Sequence, residues 1–152
     1  MNATLVIDRE SLSALGVDIE RATEDARLAA QEAAGEALRE VVMANIGEFG
    51  ADRPQAWPPL SPAYAKKVRR TFATLEVTGL LRSNVKLTHL RDASIVHADD
   101  ADVPYAVVHQ FGGGNNIPAR PYFPVTEDGE VTQFAADWAL DAARQAFKEA
   151  LP

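Results

Sequence analysis

Three histidines, His89, His97 and His109, are the side chains best suited to bind a metal or move a proton near neutral pH. None stands in a His-x-x-x-His or His-Glu-x-x-His spacing, which would place two imidazoles on one helix face. The hairpin expected over residues 85–98 points His89 and His97 to opposite faces, so they cannot share an ion. Ser61 and Ser83 lack the glycine context of a nucleophile elbow. Gly112-Gly113-Gly114 is followed neither by Gly-Lys-Ser/Thr nor by the glycine spacing of a dinucleotide fold, so no phosphate cradle is expected. Carboxylates are numerous but form no readable acid–base pair. With no cysteine in the chain, thiol catalysis, disulfides and Cys-ligated metals are excluded. The expectation is a protein that is not an enzyme, with no catalytic residues, no metal site and no cofactor.

The unusual residues are stiff and aromatic instead. Trp57 lies in Arg53-Pro54-Gln55-Ala56-Trp57-Pro58-Pro59-Leu60-Ser61-Pro62, where four prolines fix the backbone and remove donors. Arg120, Tyr122 and Phe123 are interleaved with Pro118, Pro121 and Pro124, just after the triple glycine. Arginine and aromatic side chains on rigid loops have the character of interface anchors. The same residues could also fold back to cap the core.

The net charge is −7, which argues against a general affinity for DNA or anionic lipid. The charge is unevenly distributed. Arg53, Lys66, Lys67, Arg69, Arg70, Arg82, Lys86 and Arg91 share their stretch with one acid, Glu76, so a basic middle lies between acidic flanks. It can be neutralised within the chain or by another copy. Lys66-Lys67-Val68-Arg69-Arg70 is the densest cluster. It reads as a solvated helix face, as a contact to an acidic patch of another subunit, or as a DNA contact.

The elements that must position these residues follow from periodicity. A length of 152 residues, 47% of them hydrophobic, suits one domain, here 1–152, with a real core. No apolar run approaches the ~18 residues of a membrane span, and Met-Asn-Ala-Thr-Leu-Val-Ile-Asp lacks the pattern of a signal peptide. Thr4–Asp8 is β-prone. Ile19, Ala22, Ala26, Ala30, Ala33, Ala37, Val41 and Ala44 recur at helical spacing, predicting a helix from about Asp18 to Asn45, roughly 40 Å long. Its alanine half lets another backbone approach closely; Leu38, Val41, Val42, Ile46 and Phe49 belong in a core. Ser61 and Pro62 suit the cap and first residue of a helix over about 63–70. Thr78 to Ser83 reads as a cap and one turn. Val85–Leu90 and Ala93–Ala98 form a hairpin, with Leu87 opposite Val96 and Val85 opposite Ala98 on one face. Asp99, Asp100 and Asp102 form an acidic turn, and residues 104–111 one or two helical turns. A last helix, about 130–150, is expected to bury Val131, Ala135, Trp138, Ala142 and Ala146, flanked by Phe134 and Phe147, with Asp128 as its cap. The fold class is α+β: a long N-terminal helix and a C-terminal helix packed on a small antiparallel sheet.

Three segments, in order, resemble the phage virion morphogenesis family of Mu-type tail completion proteins. Trp57-Pro58-Pro59-Leu60-Ser61-Pro62 is similar to its Trp-x-Pro-Leu-Ser motif. Thr78-Gly79-Leu80-Leu81-Arg82-Ser83 is similar to Thr-Gly-x-Leu-x-x-Ser. Tyr105-Ala106-Val107-Val108-His109-Gln110-Phe111-Gly112-Gly113, followed by Ile117-Pro118-Ala119-Arg120-Pro121-Tyr122-Phe123, resembles Tyr-Ala-x-x-His-Gln-Phe-Gly and Ile-Pro-Ala-Arg-Pro-Phe. The departure is Tyr122, which keeps the ring and adds a hydroxyl.

The resemblance implies a structural protein of the phage or prophage head–tail junction, present in the virion tail or neck and in the host cytoplasm during assembly. It implies as partners other copies of itself in a small ring, together with the tail terminator, tail tube or neck proteins. The assembly residues expected from it are Trp57, Pro59, Leu60, Tyr105, His109, Phe111, Gly112, Gly113, Arg120, Pro121, Tyr122 and Phe123. The mechanism expected is a plug: glycines allow residues 111–123 to project, Arg120 grips a carboxylate or carbonyls, and Tyr122 and Phe123 fill a pocket on a neighbour. A second expectation pairs the basic middle of one copy with the acidic flank of the next. The alternative function is a DNA-contacting neck protein using the Lys66–Arg70 helix; a hydrolase or nuclease accessory with an unreadable site is a further class.

Overall fold

Two amphipathic helices of unequal length frame the chain. The structure, a computed structural model, describes residues 9–47, 52–68, 75, 79–98, 103–114, 116–126 and 128–151, with side chains of the first helix from Arg21 onward. The expectations for Thr4–Asp8, Phe49, Arg69, Arg70, Thr78, Asp99, Asp100 and Asp102 fall outside these residues. In chain order the elements are α1 (Arg9–Ile46), α2 (Pro62–Val68), α3 (Leu80–Ser83), β1 (Val85–His89), β2 (Ser94–Ala98), α4 (Ala106–Phe111) and α5 (Gln133–Ala150). The class is α+β, as expected.

At 38 residues, α1 is roughly 57 Å long and starts nine residues before the expected Asp18. Leu12, Leu15 and Ile19 continue the three- and four-residue spacing across Gly16, and one internal glycine costs only about 1 kcal/mol. The helix stops at Ile46, just before Gly47.

α1 serves two partners. Its alanine side receives α5, whose buried residues are themselves alanines, Ala135 and Ala139; Ala26 and Ala37 are buried on α1. Small side chains on both helices let the backbones approach closely, so area is buried without bulk. On its other side α1 takes the hairpin. The hairpin pairs in the expected register, Val85↔Ala98 and Leu87↔Val96. Gly35 makes this contact possible, since a Cβ there would lie 2.6 Å from Ser94 Cβ and 3.1 Å from Leu87 Cδ1. Gln31 and Arg27 fasten the hairpin turn through the Leu90 and Arg91 carbonyls.

α5 departs from expectation on its outer side. Trp138 is 51% exposed and Phe134 46% exposed, and their rings stack at 6.2 Å on the surface. The stripe that is covered rotates to Ala135, Ala139, Ala142, Ala146 and Phe147, four of them small residues that suit the alanine side of α1. Val131 is exposed as well. The helix begins at Gln133 after Thr132, not after Asp128. A Val125–Val131 bridge, with Gly129 at φ 84°, precedes the helix.

The core lies at the C-terminal end of α1. Val42 and Ile46 meet Leu75, Leu81, Val85, Val103, Ala106 and Tyr122, with Trp57, Val96 and Phe123 packed against them. Leu81 enters from α3, which starts from Gly79 at φ 74°, a conformation that favours glycine.

Candidate assembly interface

The proline-rich segments 52–62 and 117–124 lack the N–H groups needed to pair with each other as strands. Their carbonyls must therefore find donors elsewhere, and side chains supply them. The Arg120 guanidinium donates from Nε to Pro58 O and from Nη2 to Pro59 O, both at 3.2 Å. The Trp57 indole donates to Pro121 O at 2.9 Å. Gln110 Oε1 accepts from both the Tyr122 and Phe123 amides at 3.0 Å. Asn45 sits at 0% exposure. Its Nδ2 donates to Tyr122 O at 3.1 Å and Asp52 O at 2.8 Å, and its Oδ1 accepts from the Asp52 amide. Arg53 donates to the Asn45 and Gly47 carbonyls at the end of α1 and stacks 3.6 Å over the Trp57 ring. Three separated segments are thus tied to each other and to the end of α1.

This arrangement overturns the plug mechanism. Tyr122 is 2% exposed and Arg120 6% exposed; Pro121 is buried and Phe123 half-buried. The physical reason is the missing donors: the carbonyls of Pro58 and Pro59 claim the guanidinium, and the Tyr122 ring completes the core. Nor are Gly112 and Gly113 a free hinge. Gly113 N donates to Ile117 O at 3.0 Å, and a Cβ on Gly113 would meet Val108 Cγ1 at 2.8 Å. Gly112, at φ 78°, brings the chain back so that the Arg120 amide reaches His109 O at 2.6 Å. Both glycines shape the loop against α4.

What faces outward is organised by α4. One side, with Tyr105 and His109 four residues apart, lines a groove of about 750 Å³ together with Pro59, Leu60, Ser61, Tyr64, Leu75, Asn116, Ile117, Pro118 and Arg120. The other side, Ala106, Val107, Gln110 and Phe111, lines a smaller groove of about 340 Å³ with residues 96–98 of β2 and with Tyr122, Phe123, Val125 and Thr126. Phe111 is 77% exposed, a high value for a large apolar ring. Tyr64, Tyr105, Val107 and Ile117 are also exposed around the same helix. Of the expected assembly residues, Pro59, Leu60, Tyr105, His109 and Arg120 meet at the first groove, and Phe111, Tyr122 and Phe123 at the second.

The sequence reading passed over two residues that matter most to the lock, Asn45 and Gln110. Asn45 carried a signal: it is a polar residue between Val42 and Ile46 on the bulky end of an amphipathic helix. Gln110 lay inside a quoted motif without a role, because nothing local indicates that its partner is twelve residues on.

Two titratable groups of the large groove, His109 and Arg120, are held below their ordinary pKa by burial. For His109, burial first, then the nearby Arg120 charge, lowers the pKa below 6.5, so the imidazole stays neutral at pH 7. Its Nδ1 is buried without a partner, and Tyr105 meets the ring edge-on at 5.5 Å. The folded chain resists protonation, so its stability contribution is intact above pH 6.5 and is lost as pH falls from there through the lowered folded value. Thermal melts at stepped pH should show Tm declining through this window, with a shallower decline for His109→Gln. Equal slopes in the two proteins would count against it.

No carboxylate lines either groove, and among the described residues no group of three potential ligands could hold a metal. Among the same residues no helix is long and apolar enough to cross a membrane.

The profile of the phage virion morphogenesis family matches residues 8–136, a span that reaches from the start of α1 into α5 and includes all three motif segments. The chain belongs to the phage virion morphogenesis family. Membership places it among proteins that take part in building phage particles. No curated protein and no solved structure gives a match. The motif segments divide in this fold: the Trp57 loop and Arg120–Phe123 form an internal lock, while the rim residues on and around α4 remain exposed.

Proposed function

We propose that the protein is a structural component of the phage head–tail junction, completing the tail or neck so that tail and head join. The observation that carries this reading is the exposed apolar rim around α4, built on a locked scaffold. Phe111, Val107, Tyr105 and Ile117 stand on short, firmly held segments, so little ordering entropy is lost on contact. A groove lined by apolar and aromatic groups, with two of its arginine donors already committed, suits binding and not reaction. The partners in this reading are tail terminator, tail tube or neck proteins, and the places of action are the host cytoplasm during assembly and then the virion.

DNA contact through α2 has less support. Lys66 and Lys67 lie in the last turn of that helix, where cations also favour the helix dipole, and the chain as a whole is acidic.

The test is complementation in a phage or prophage from which the gene has been removed. Lysates should contain filled heads and finished tails that do not join, and the wild-type gene should restore joined particles. Normal particles without the gene would refute the reading, as would defective heads lacking DNA.

A further inference from the structure

A positive charge almost withdrawn from water stands in the wall of the large groove. Arg120 is 6% exposed and lines that groove. A guanidinium has five N–H donors. Nε donates to Pro58 O and Nη2 to Pro59 O; among the described residues the group has no other acceptor and no ion pair. No carboxylate among them lines the groove. Carbonyl dipoles satisfy two hydrogen bonds but do not neutralise a full charge, and a buried charge without a counter-charge is costly. Desolvation accordingly lowers the Arg120 pKa, with no opposing charge to raise it, although an arginine stays charged in any protein. His109 brings a second unmet polar atom to the same groove, its buried and unpartnered Nδ1.

The remaining walls indicate which anion fits. Leu60, Tyr64, Tyr105 and Ile117 are apolar or aromatic, and Arg120 is the one cationic side chain among the described residues of the lining. One guanidinium balances one carboxylate, and its planar fork matches the two oxygens. A nucleic-acid backbone is instead met by several cations. From this missing counter-charge we infer that the large groove is a carboxylate receptor. It takes an aspartate or glutamate side chain, flanked by apolar residues, from the partner protein that docks on the α4 rim. The carboxylate meets the spare Arg120 donors, and the flanking residues cover Leu60, Tyr64 and Ile117. This is the reverse of a plug, since the partner inserts and this chain receives. The choice of a protein as ligand rests on the joining role proposed above. Carboxylate binding itself is measured on the isolated chain, so its failure is distinct from a failure of complementation.

The test titrates the isotope-labelled full chain with three probes: the blocked peptide acetyl-Leu-Glu-Phe-amide, its glutamine counterpart, and inorganic phosphate. The Arg120 Nε–H and His109 ring resonances are followed by NMR. The glutamate peptide should bind roughly tenfold tighter than the glutamine peptide or better, as a charge-assisted hydrogen bond implies, and should shift both resonances. Phosphate at the same concentration should not displace it. Ile117→Asp changes an exposed side chain of the groove, so it should remove the preference with unchanged melting by placing a rival carboxylate there. Arg120→Gln should remove it as well, with a lower Tm because two bonds of the lock are lost. Equal binding of the two peptides would overturn the inference, and so would tighter binding of phosphate, which would make the groove a phosphate site. Glu76, outside the described residues, follows Leu75 in the sequence. A preference seen only in Glu76→Gln would mean that the counter-charge comes from within the chain, and would overturn the inference too.

Discussion

Tyr122→Ala should lower the stability of the isolated chain by about 3–5 kcal/mol, the range for removing a buried aromatic ring. Tyr122 is 2% exposed and touches the cluster formed by Val42, Ile46, Leu81 and Val103. Domains of this size have only about 5–15 kcal/mol to lose, so Tm should fall by roughly 10 °C or more. Tyr122→Phe, which keeps the ring in this cluster, should lose less than Tyr122→Ala. Urea or thermal unfolding of the two variants measures both. A plug that acts only by inserting into a neighbour would leave the isolated alanine variant as stable as wild type.

Phe111→Asp should do the reverse. The ring is 77% exposed, so stability should change by no more than about 0.5 kcal/mol. Joined particles, counted by electron microscopy after complementation, should fall to the level seen without the gene. An aromatic anchor at the centre of an interface contributes about 2 kcal/mol or more, roughly 30-fold in affinity, and a carboxylate placed in an apolar contact adds desolvation cost. If this variant joins heads and tails normally, the α4 rim is not the joining surface. Together the two substitutions separate residues that hold the fold from residues that use it.

The elements were largely legible because their signals are local. The helical spacing of alanines gave α1, Ser61 and Pro62 gave the start of α2, confirmed by the Tyr64 amide reaching Ser61 Oγ, and alternation gave the hairpin register. The outer side of α5 departs from expectation because hydrophobicity alone marks Trp138 as core; that α5 turns its alanines toward the buried Ala26 and Ala37 side of α1 is a property of the pair. The plug was misread for a related reason. Prolines in two segments, joined by bonds that span 62 and 61 positions, each look like a stiff loop, and only their juxtaposition shows that one holds the carbonyls for the other's guanidinium. The Asn45 and Gln110 bridges, spanning 77 and 12 positions to Tyr122, have no local signature beyond a polar residue in apolar company.

Hydrogen exchange at the amides of Arg120, Tyr122 and Phe123 in the isolated chain tests the internal lock most directly. These amides donate to His109 O and to Gln110 Oε1, so exchange should be slow, near the rate set by global unfolding, before any partner is added. Rapid exchange in the free protein, with protection gained only on assembly, would show that the segment is an outward arm and would contradict the account.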